Sequence, residues 1–447
     1  MRIAIAALLF DDTTRVGSHR ARSFARELSE LGHQVTVFTA GEQDDTSSPF
    51  ERVPVVRLGP FDRNSWPRTG ISGLRRQAAV AVTISPTVIP LAVLRRRSSQ
   101  SAQDRIQYLT QQRASSVLSI DEILCSQRWA ESAQKQIEES YAPNTFDVVF
   151  STSDYLGRAV RDSGAARTWI ADFRDAAVSE LLLAPLRRYF ARHQSITILD
   201  ADHVTAVSEG VKMSLLAQRK TRNLGEKITV ITNGFTPRVP PPAPAPSGVA
   251  PLVLAYTGAV YGRRSRALET LFAAIERCRS NGREVTFTYA GRNRAVVEDA
   301  ARSAGIVDQV AVLGQVSFEQ SMDIQAAGDA LVVLTWNTPE EKGILSGKFL
   351  EYLGADRPIL VVVTGEEPDS ELGHLVREMN VGACFEETQG PQGEAELQDW
   401  LMNAAQHRQT GAPLTFHPNQ AEVNRYNYRE LSQHLLSVMK RVVDNEG

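Results

Sequence analysis

Arg2-Ile-Ala-Ile-Ala-Ala-Leu-Leu9 leads through a loop, Phe10–Gly17, into a segment with Phe24, Leu28 and Leu31 on one helical face. Gly32-His33 then gives way to Gln34-Val-Thr-Val-Phe-Thr39. The first run is apolar and strand-like, the middle has the period of an amphipathic helix, and Gly32-His33 is a helix exit. A strand, a helix and a second strand in that order form a βαβ unit, and a series of such units builds a parallel sheet covered by helices. The alternation continues through Phe146–Ser151, Thr168–Asp172, His203–Val207 and Lys227–Ile231, with Ser208 placed to cap the helix after His203–Val207. Pro237-Arg-Val-Pro-Pro-Pro-Ala-Pro-Ala-Pro-Ser247 then carries six prolines in eleven residues, which suits neither a helix interior nor a central strand and reads as a semi-rigid linker. A second series follows, with strands expected at Leu252–Thr257, Val285–Ala290, Val310–Leu313, Ala330–Thr335 and Pro358–Val363. Ser317 and Gln320 form a capping box between two of them. A last helical pattern, about Tyr426–Val443, follows a loop rather than a strand. The expectation is an α/β chain of two Rossmann-like doubly wound domains facing a cleft. The first is residues 1–236, with an insertion at about 60–140; a linker occupies 237–250, the second domain 251–420, and a terminal helix lies within 421–447. Ligands of such sheets lie at the carboxyl ends of the strands.

Composition narrows the function. The chain has 447 residues, 42% hydrophobic and 23% charged, which is ordinary for a globular protein and excludes a mostly disordered or fibrous one. Its formal net charge of −3 argues against a generic nucleic-acid binder. Cys125, Cys278 and Cys384 are scattered and odd in number, so they form neither a disulfide framework nor a metal-binding spacing, and a cytoplasmic location is expected. The apolar start ends at Asp11-Asp12 without a cleavage site, and Ala78–Leu94 is interrupted by Pro86 and Pro90, which makes it a poor membrane span. Residues 60–118 stand apart: nine arginines against Asp62 and Asp104 make that stretch +7, leaving the remainder near −10. It reads as a solvated helical insertion, or as a docking surface for an anionic acceptor or a peripheral membrane face.

Four constellations carry candidate chemistry. The Phe10–Arg20 loop places Gly17, Ser18 and His19 at a strand-to-helix turn, where a glycine permits close approach and the helix start favours an anion. Its single glycine is not the fingerprint of a dinucleotide site. Thr257-Gly258-Ala-Val-Tyr-Gly262-Arg263-Arg264 follows the first strand of the second domain, and paired guanidinium groups at a helix start suit a diphosphate. Gly343-Ile344-Leu345-Ser346-Gly347-Lys348, with Glu351 one helical turn further on, offers backbone amides, a cation for phosphate and a carboxylate for a ribose diol. Asp172, Arg174 and Asp175 stand at the carboxyl end of a strand of the first domain, where they either tie down a loop or serve the cleft. No metal-spaced cluster and no nucleophile elbow is present, so neither a metal nor a bound cofactor is expected.

Ser23-Phe-Ala-Arg-Glu-Leu-Ser-Glu-Leu-Gly32-His33-Gln-Val-Thr-Val-Phe-Thr39 resembles the first helix and second strand of the GT-B glycosyltransferases of family 4. Ala206-Val-Ser-Glu-Gly210 followed by Val230-Ile-Thr-Asn233-Gly234-Phe235 is similar to their passage into the interdomain linker. Tyr256-Thr-Gly258, Val312-Leu-Gly314-Gln-Val316 and Gly347-Lys348-Phe-Leu-Glu351-Tyr352-Leu-Gly-Ala355-Asp-Arg-Pro358 look like their donor-domain motifs. The resemblance spans nearly the whole chain apart from residues 60–140. It implies retaining, metal-independent transfer of a sugar from a nucleoside diphosphate sugar, with GDP or UDP as the expected carrier. The acceptor lies on the first domain, the nucleotide on the second, and the last helix returns to the first. Residue by residue, it implies that Glu351 binds the ribose and Val316 lines the base. It assigns Arg263 or Arg264, with Lys348, to the diphosphate, and Gly17 to the loop nearest the donor sugar. Arg174 falls where the family has an N-domain histidine, and with Asp172, Asp175 and His19 it forms the catalytic candidate set. Two departures are visible. Gly343 occupies the first position of the family's frequent Glu-x7-Glu pair, with Glu340 and Glu341 just before it. Ala259 replaces a cation often found after Thr-Gly.

The expected partners are therefore a nucleotide sugar and an acceptor, either a saccharide, a lipid-linked glycan or a small natural product. Two other functions share this architecture: a sugar-nucleotide 2-epimerase and a non-catalytic nucleotide-sugar-binding subunit.

Overall fold

The computed structural model describes residues 1–11, 16–41, 53–61, 126–152, 154–174, 184–218, 220–237, 250–260, 263–339, 345–411, 414 and 416–445. The arginine-rich stretch, most of the proline run, Asp175, Gly343 and Ile344 lie outside these residues. So do Glu340, Glu341 and the side chain of Arg263, and of Gly17 only its place in the first helix is described.

Thirteen strands are described. The first seven are β1 (Arg2–Ala6), β2 (Gln34–Thr39), β3 (Val55–Arg57), β4 (Phe146–Ser151), β5 (Ala166–Phe173), β6 (His203–Ala206) and β7 (Ile228–Val230). They form one sheet in the order β3-β2-β1-β4-β5-β6-β7. The other six are β8 (Leu252–Thr257), β9 (Val285–Ala290), β10 (Val310–Gly314), β11 (Ala330–Trp336), β12 (Ile359–Thr364) and β13 (Gly382–Glu386). Their order is β10-β9-β8-β11-β12-β13. Every pairing between named strands is parallel. The order reverses between β1 and β4 in the first sheet and between β8 and β11 in the second. At each reversal, helices leave the strand ends in opposite directions and open a crevice.

Helices cover both faces of each sheet, so strands such as β11 and β12 are apolar and buried on both sides rather than alternating. On the first sheet, the helix Val16–Glu30 buries Phe24 and Leu28 against Ile3, Ile5 and Val37. The opposite face packs Leu156 and Val160 of Asp154–Asp162, Ile198 of Ala184–Asp200 and Leu215 of Glu209–Leu216 against Val149 and Trp169. On the second sheet, Arg263–Ser280 and Gly390–Thr410 supply Leu271, Phe272, Leu397 and Leu401 to one core. Gly347–Leu353 and Glu371–Met379 supply Phe349, Leu350 and Leu372 to the other.

The final helix, Tyr428–Asn445, places Leu431, Leu435, Val438 and Met439 in the core that holds β1 and Phe24, not in the second sheet. Phe235 and Asn427 are bridged there, with Phe235 N donating to Tyr426 O at 3.0 Å and Tyr428 N to Phe235 O at 2.9 Å. The two expected caps are present: Ser208 Oγ accepts from Val211 N at 3.1 Å, and Ser317 and Gln320 bond reciprocally at 2.9 and 3.1 Å.

Two strands differ from the expectation. β3 is three residues after Pro54 at a sheet edge, and β13 begins on Gly382 and carries Ala383 and Cys384, so neither offers a long β-branched alternation. The first strand ends at Ala6 rather than Leu9. The chain turns there, although Ala7 N still donates to Phe38 O at 3.0 Å.

Candidate functional site

The reversal between β8 and β11 gathers most of the donor-side candidates. Thr257 is the last residue of β8, and Gly258 and Ala259 continue from it. Gly258 is tightly placed: a side chain there would lie 3.2 Å from Tyr256 Oη and 3.7 Å from Lys348 Cε. Gly291, after β9, is required by the same crowding, since a Cβ would run into the Gly258 carbonyl. Arg264, at the start of Arg263–Ser280, bends back over this turn. Its Nη1 donates to Ala259 O at 3.1 Å, and its guanidinium carbon lies 5.5 Å from the centre of the Trp336 ring at the end of β11. A guanidinium on an indole face keeps its edges open to hydrogen bonding while its plane is supported.

Lys348 and Glu351 come from the helix that follows β11. Ser346 precedes this helix with extended backbone, and the buried Phe349, Leu350 and Tyr352 turn the Lys348–Glu351 face away from the core. Lys348 Nζ donates to Glu351 Oε1 at 3.0 Å and to Oε2 at 2.8 Å, with the side chains 24% and 19% exposed. Gln325, from the helix Phe318–Ala327, also donates to Glu351 Oε1, at 2.7 Å, and to Thr257 Oγ1 at 2.9 Å. Thr257 N donates to Tyr352 Oη at 2.9 Å. Burial raises the Tyr352 phenol well above its ordinary pKa, so it stays protonated. Thr335 Oγ1, next to Trp336, is buried without a hydrogen-bond partner. Leu345 is half-buried and Ser346 buried at the same strand ends. Val316 follows β10, half-buried, two residues before the exposed Phe318.

Across the crevice, the reversal between β1 and β4 brings His19 to the same place. Its ring centre lies 4.9 Å from that of Phe318, so the first helix of one domain touches the start of the helix Phe318–Ala327 of the other. Glu209 and Glu371, each directly after a capping serine, add a second approach between the domains. Burial pushes the Glu371 carboxyl up, and the Glu209 charge adds to the push.

The charged group at the end of β5 has a different character. Asp172 does not stand open to the crevice. Its two oxygens accept from Arg20 Nε and Nη2 at 2.9 and 2.8 Å, and Oδ1 also accepts from Thr205 Oγ1 at 2.6 Å. Arg20 further donates to the carbonyls of Ile231 and Thr232, at 2.8 and 2.5 Å. Both side chains are essentially inaccessible, at 1% and 0% exposure. The bonds of Asp172 and Arg20 fasten β5 to the first helix, to β6 and to the segment after β7. Arg174 is half-buried just beyond β5, and its charge, after that of Arg20, opposes the rise that burial imposes on the Tyr428 phenol.

The structure therefore brings together Gly258, Arg264, Ser346, Lys348 and Glu351, sets His19 opposite them, and removes Asp172 into a buried bridge. Gln325, Trp336 and Phe318 were not singled out from sequence. None of the three carries a local signal in the residues: Gln325 is set apart by its burial in the fold, Phe318 by its place at a helix start and Trp336 by its place at a strand end. Among the described residues no three His, Cys, Asp or Glu side chains group closely enough to hold a metal ion, and no helix is long and apolar enough to cross a membrane.

No family model and no curated protein matches the chain. Solved structures do match over its full length. Sucrose-phosphate synthase from Thermosynechococcus elongatus is 13% identical, with a TM-score of 0.57 and 100% of both chains covered. The trehalose-6-phosphate synthase of E. coli, bound with UDP-2-fluoro glucose, is 11% identical with a TM-score of 0.57, covering 98% of this chain and 99% of that one. The catalytic domain of starch synthase IV from Arabidopsis thaliana, bound to ADP and acarbose, is 12% identical with a TM-score of 0.56, covering 99% of each chain. The arrangement shared with these enzymes, two parallel-sheet α/β domains facing one cleft, is the GT-B fold.

Proposed function

We propose that this chain is a retaining, metal-independent glycosyltransferase that moves a sugar from a nucleoside diphosphate sugar, UDP- or GDP-linked, to an acceptor on its first domain. The observation that carries the reading is the meeting of Arg264, Lys348 and Glu351 around Gly258 at the β8/β11 reversal. The likeness to solved glycosyltransferases supports the fold on which such a site is built.

In this reading Glu351 takes the ribose hydroxyls and Val316 lies against the base. Gly258, which has no side chain, lets the diphosphate approach the backbone. Breaking the bond between the anomeric carbon and the β-phosphate oxygen puts negative charge on that oxygen. Arg264 and Lys348 stabilise this charge. Fixed cations in a water-poor crevice act more strongly on developing charge than the same cations in bulk solvent. The acceptor hydroxyl attacks from the face the diphosphate leaves, and its proton passes to the departing phosphate oxygen. His19 and Arg174 line the acceptor side, and the contact of His19 with Phe318 closes the crevice over the reacting centre.

The test is calorimetric titration of UDP, GDP, ADP and dTDP into the full chain, followed by incubation of the matching sugar nucleotides with and without acceptor. Tight binding of one nucleotide and acceptor-dependent release of it are expected. Binding of none overturns the reading. An epimerised donor formed without acceptor replaces it with the 2-epimerase.

A further inference from the structure

The geometry points to Gln325 as the positioning residue that holds the Glu351 carboxylate for the sugar of the nucleotide. The inference rests on the donor-site reading above and adds to it the origin of the site's preference for a ribose diol.

Gln325 is wholly buried in the helix Phe318–Ala327. Its Nε2 donates to Thr257 Oγ1 at 2.9 Å and to Glu351 Oε1 at 2.7 Å. A side-chain amide nitrogen carries two hydrogens, and these two bonds use both. The amide has one sensible orientation: turned over, it would set a carbonyl oxygen against a carboxylate. Thr257 is itself fixed, since its backbone N donates to Tyr352 Oη at 2.9 Å and its hydroxyl lies 3.3 Å from the same oxygen. A continuous tether thus runs from the end of β8, through one threonine and one glutamine, to a carboxylate on the helix after β11. It locks the two halves of the β8/β11 crevice in register.

The tether matters because Lys348, the cationic partner of Glu351, is the one a ligand draws away. Lys348 holds both carboxylate oxygens, at 3.0 and 2.8 Å. A diphosphate in the crevice competes for that ammonium group. As Lys348 turns to phosphate, Glu351 loses its cationic partner, and the partly exposed carboxylate regains rotamer freedom that costs binding energy to remove. Gln325 keeps Oε1 in place through the exchange, so the carboxylate meets the ribose hydroxyls already oriented. A glutamine that merely satisfied a buried hydroxyl would affect folding stability and leave nucleotide discrimination untouched.

The experiment measures dissociation constants for the nucleoside diphosphate that the wild type binds best, for its 2′,3′-dideoxy counterpart and for inorganic pyrophosphate. The proteins are the wild type, Gln325→Leu and Thr257→Val. Hydrogen bonds to a charged group suggest a wild-type preference for the ribose form of about tenfold or more. The expected result is that this preference falls below about threefold in Gln325→Leu and to an intermediate value in Thr257→Val, with pyrophosphate affinity within about twofold of wild type in both. Unchanged discrimination in folded variants, or a parallel loss of pyrophosphate binding, overturns the inference while leaving the donor site standing. A wild type that binds no nucleotide overturns the donor-site reading and the inference with it. Should Gln325→Leu fail to fold, Thr257→Val decides alone, since it removes one hydroxyl at nearly constant volume and does not touch Glu351.

Discussion

Two ion pairs of similar length stand at the strand ends of the two domains, and they do opposite things. Arg20–Asp172, at 2.8 Å, is sealed at 1% and 0% exposure and closed by a hydroxyl and two carbonyls. Lys348–Glu351, also at 2.8 Å, is 24% and 19% exposed, and its carboxylate also accepts from Gln325. Bond length does not separate them; the access of water does. A buried pair that is fully hydrogen-bonded is part of the scaffold, and removing one partner strands the other charge. A half-exposed pair in a crevice can trade its partner for a ligand. Charged residues at strand ends thus mark a crevice without saying which of them face it.

The largest expected effect breaks the sealed pair. Asp172→Ala should lower unfolding stability in urea by about 3–5 kcal/mol, and the double variant Arg20→Met/Asp172→Leu should lose clearly less than its two single variants together. Unaltered stability in Asp172→Ala would mean that the buried pair is not part of the scaffold. The open pair should show the reverse profile. Lys348→Ala is expected to change folding stability by less than about 1 kcal/mol, as for other accessible pairs, yet to slow sugar transfer on the order of 10²-fold. A variant that loses stability and keeps its rate would erase the distinction drawn here.

A smaller effect sharpens the same point with pH. Burial, with lesser contributions from Arg441 and Lys227, pulls the His203 imidazole down from 6.5 to about 4, while its Nε2 lies 2.9 Å from Thr229 Oγ1. The unfolded chain binds this proton more readily than the folded one, so the contribution of His203 is fully present above pH 6.5 and fades as the pH falls toward 4. Between pH 7 and pH 5 the loss should be about 2 kcal/mol, and His203→Asn should flatten that part of the urea-stability profile. An unchanged slope in that variant would mean that another group titrates there.

Much of the fold was legible in the residues. The strand positions, the caps at Ser208 and Ser317 and the all-parallel class follow from apolar runs alternating with amphipathic ones. β3 and β13 escaped because edge strands need little hydrophobic surface, and Gly382-Ala-Cys carries almost no β-branched signal. At the site, the Lys348/Glu351 spacing survives as a contact because helical periodicity is local. The capture of Asp172 by Arg20 joins residues 152 positions apart, and the bridge from Gln325 to Thr257 spans 68. Such links are created by the packing of whole elements, and one-dimensional spacing does not encode them. The contact of His19 with Phe318 is of the same kind, with the further requirement that two domains meet.

The last helix has a consequence for synthesis. By residue 230 all seven strands of the first sheet exist, yet one face of that sheet lacks Leu431, Leu435, Val438 and Met439 until the helix Tyr428–Asn445 has been made. The first half of the polypeptide therefore waits with an apolar face open to chaperones while the second half is translated and folds as its own unit. Removing residues 428–445 would uncover Phe24, Ile3 and Ile5, in the part of the chain made first.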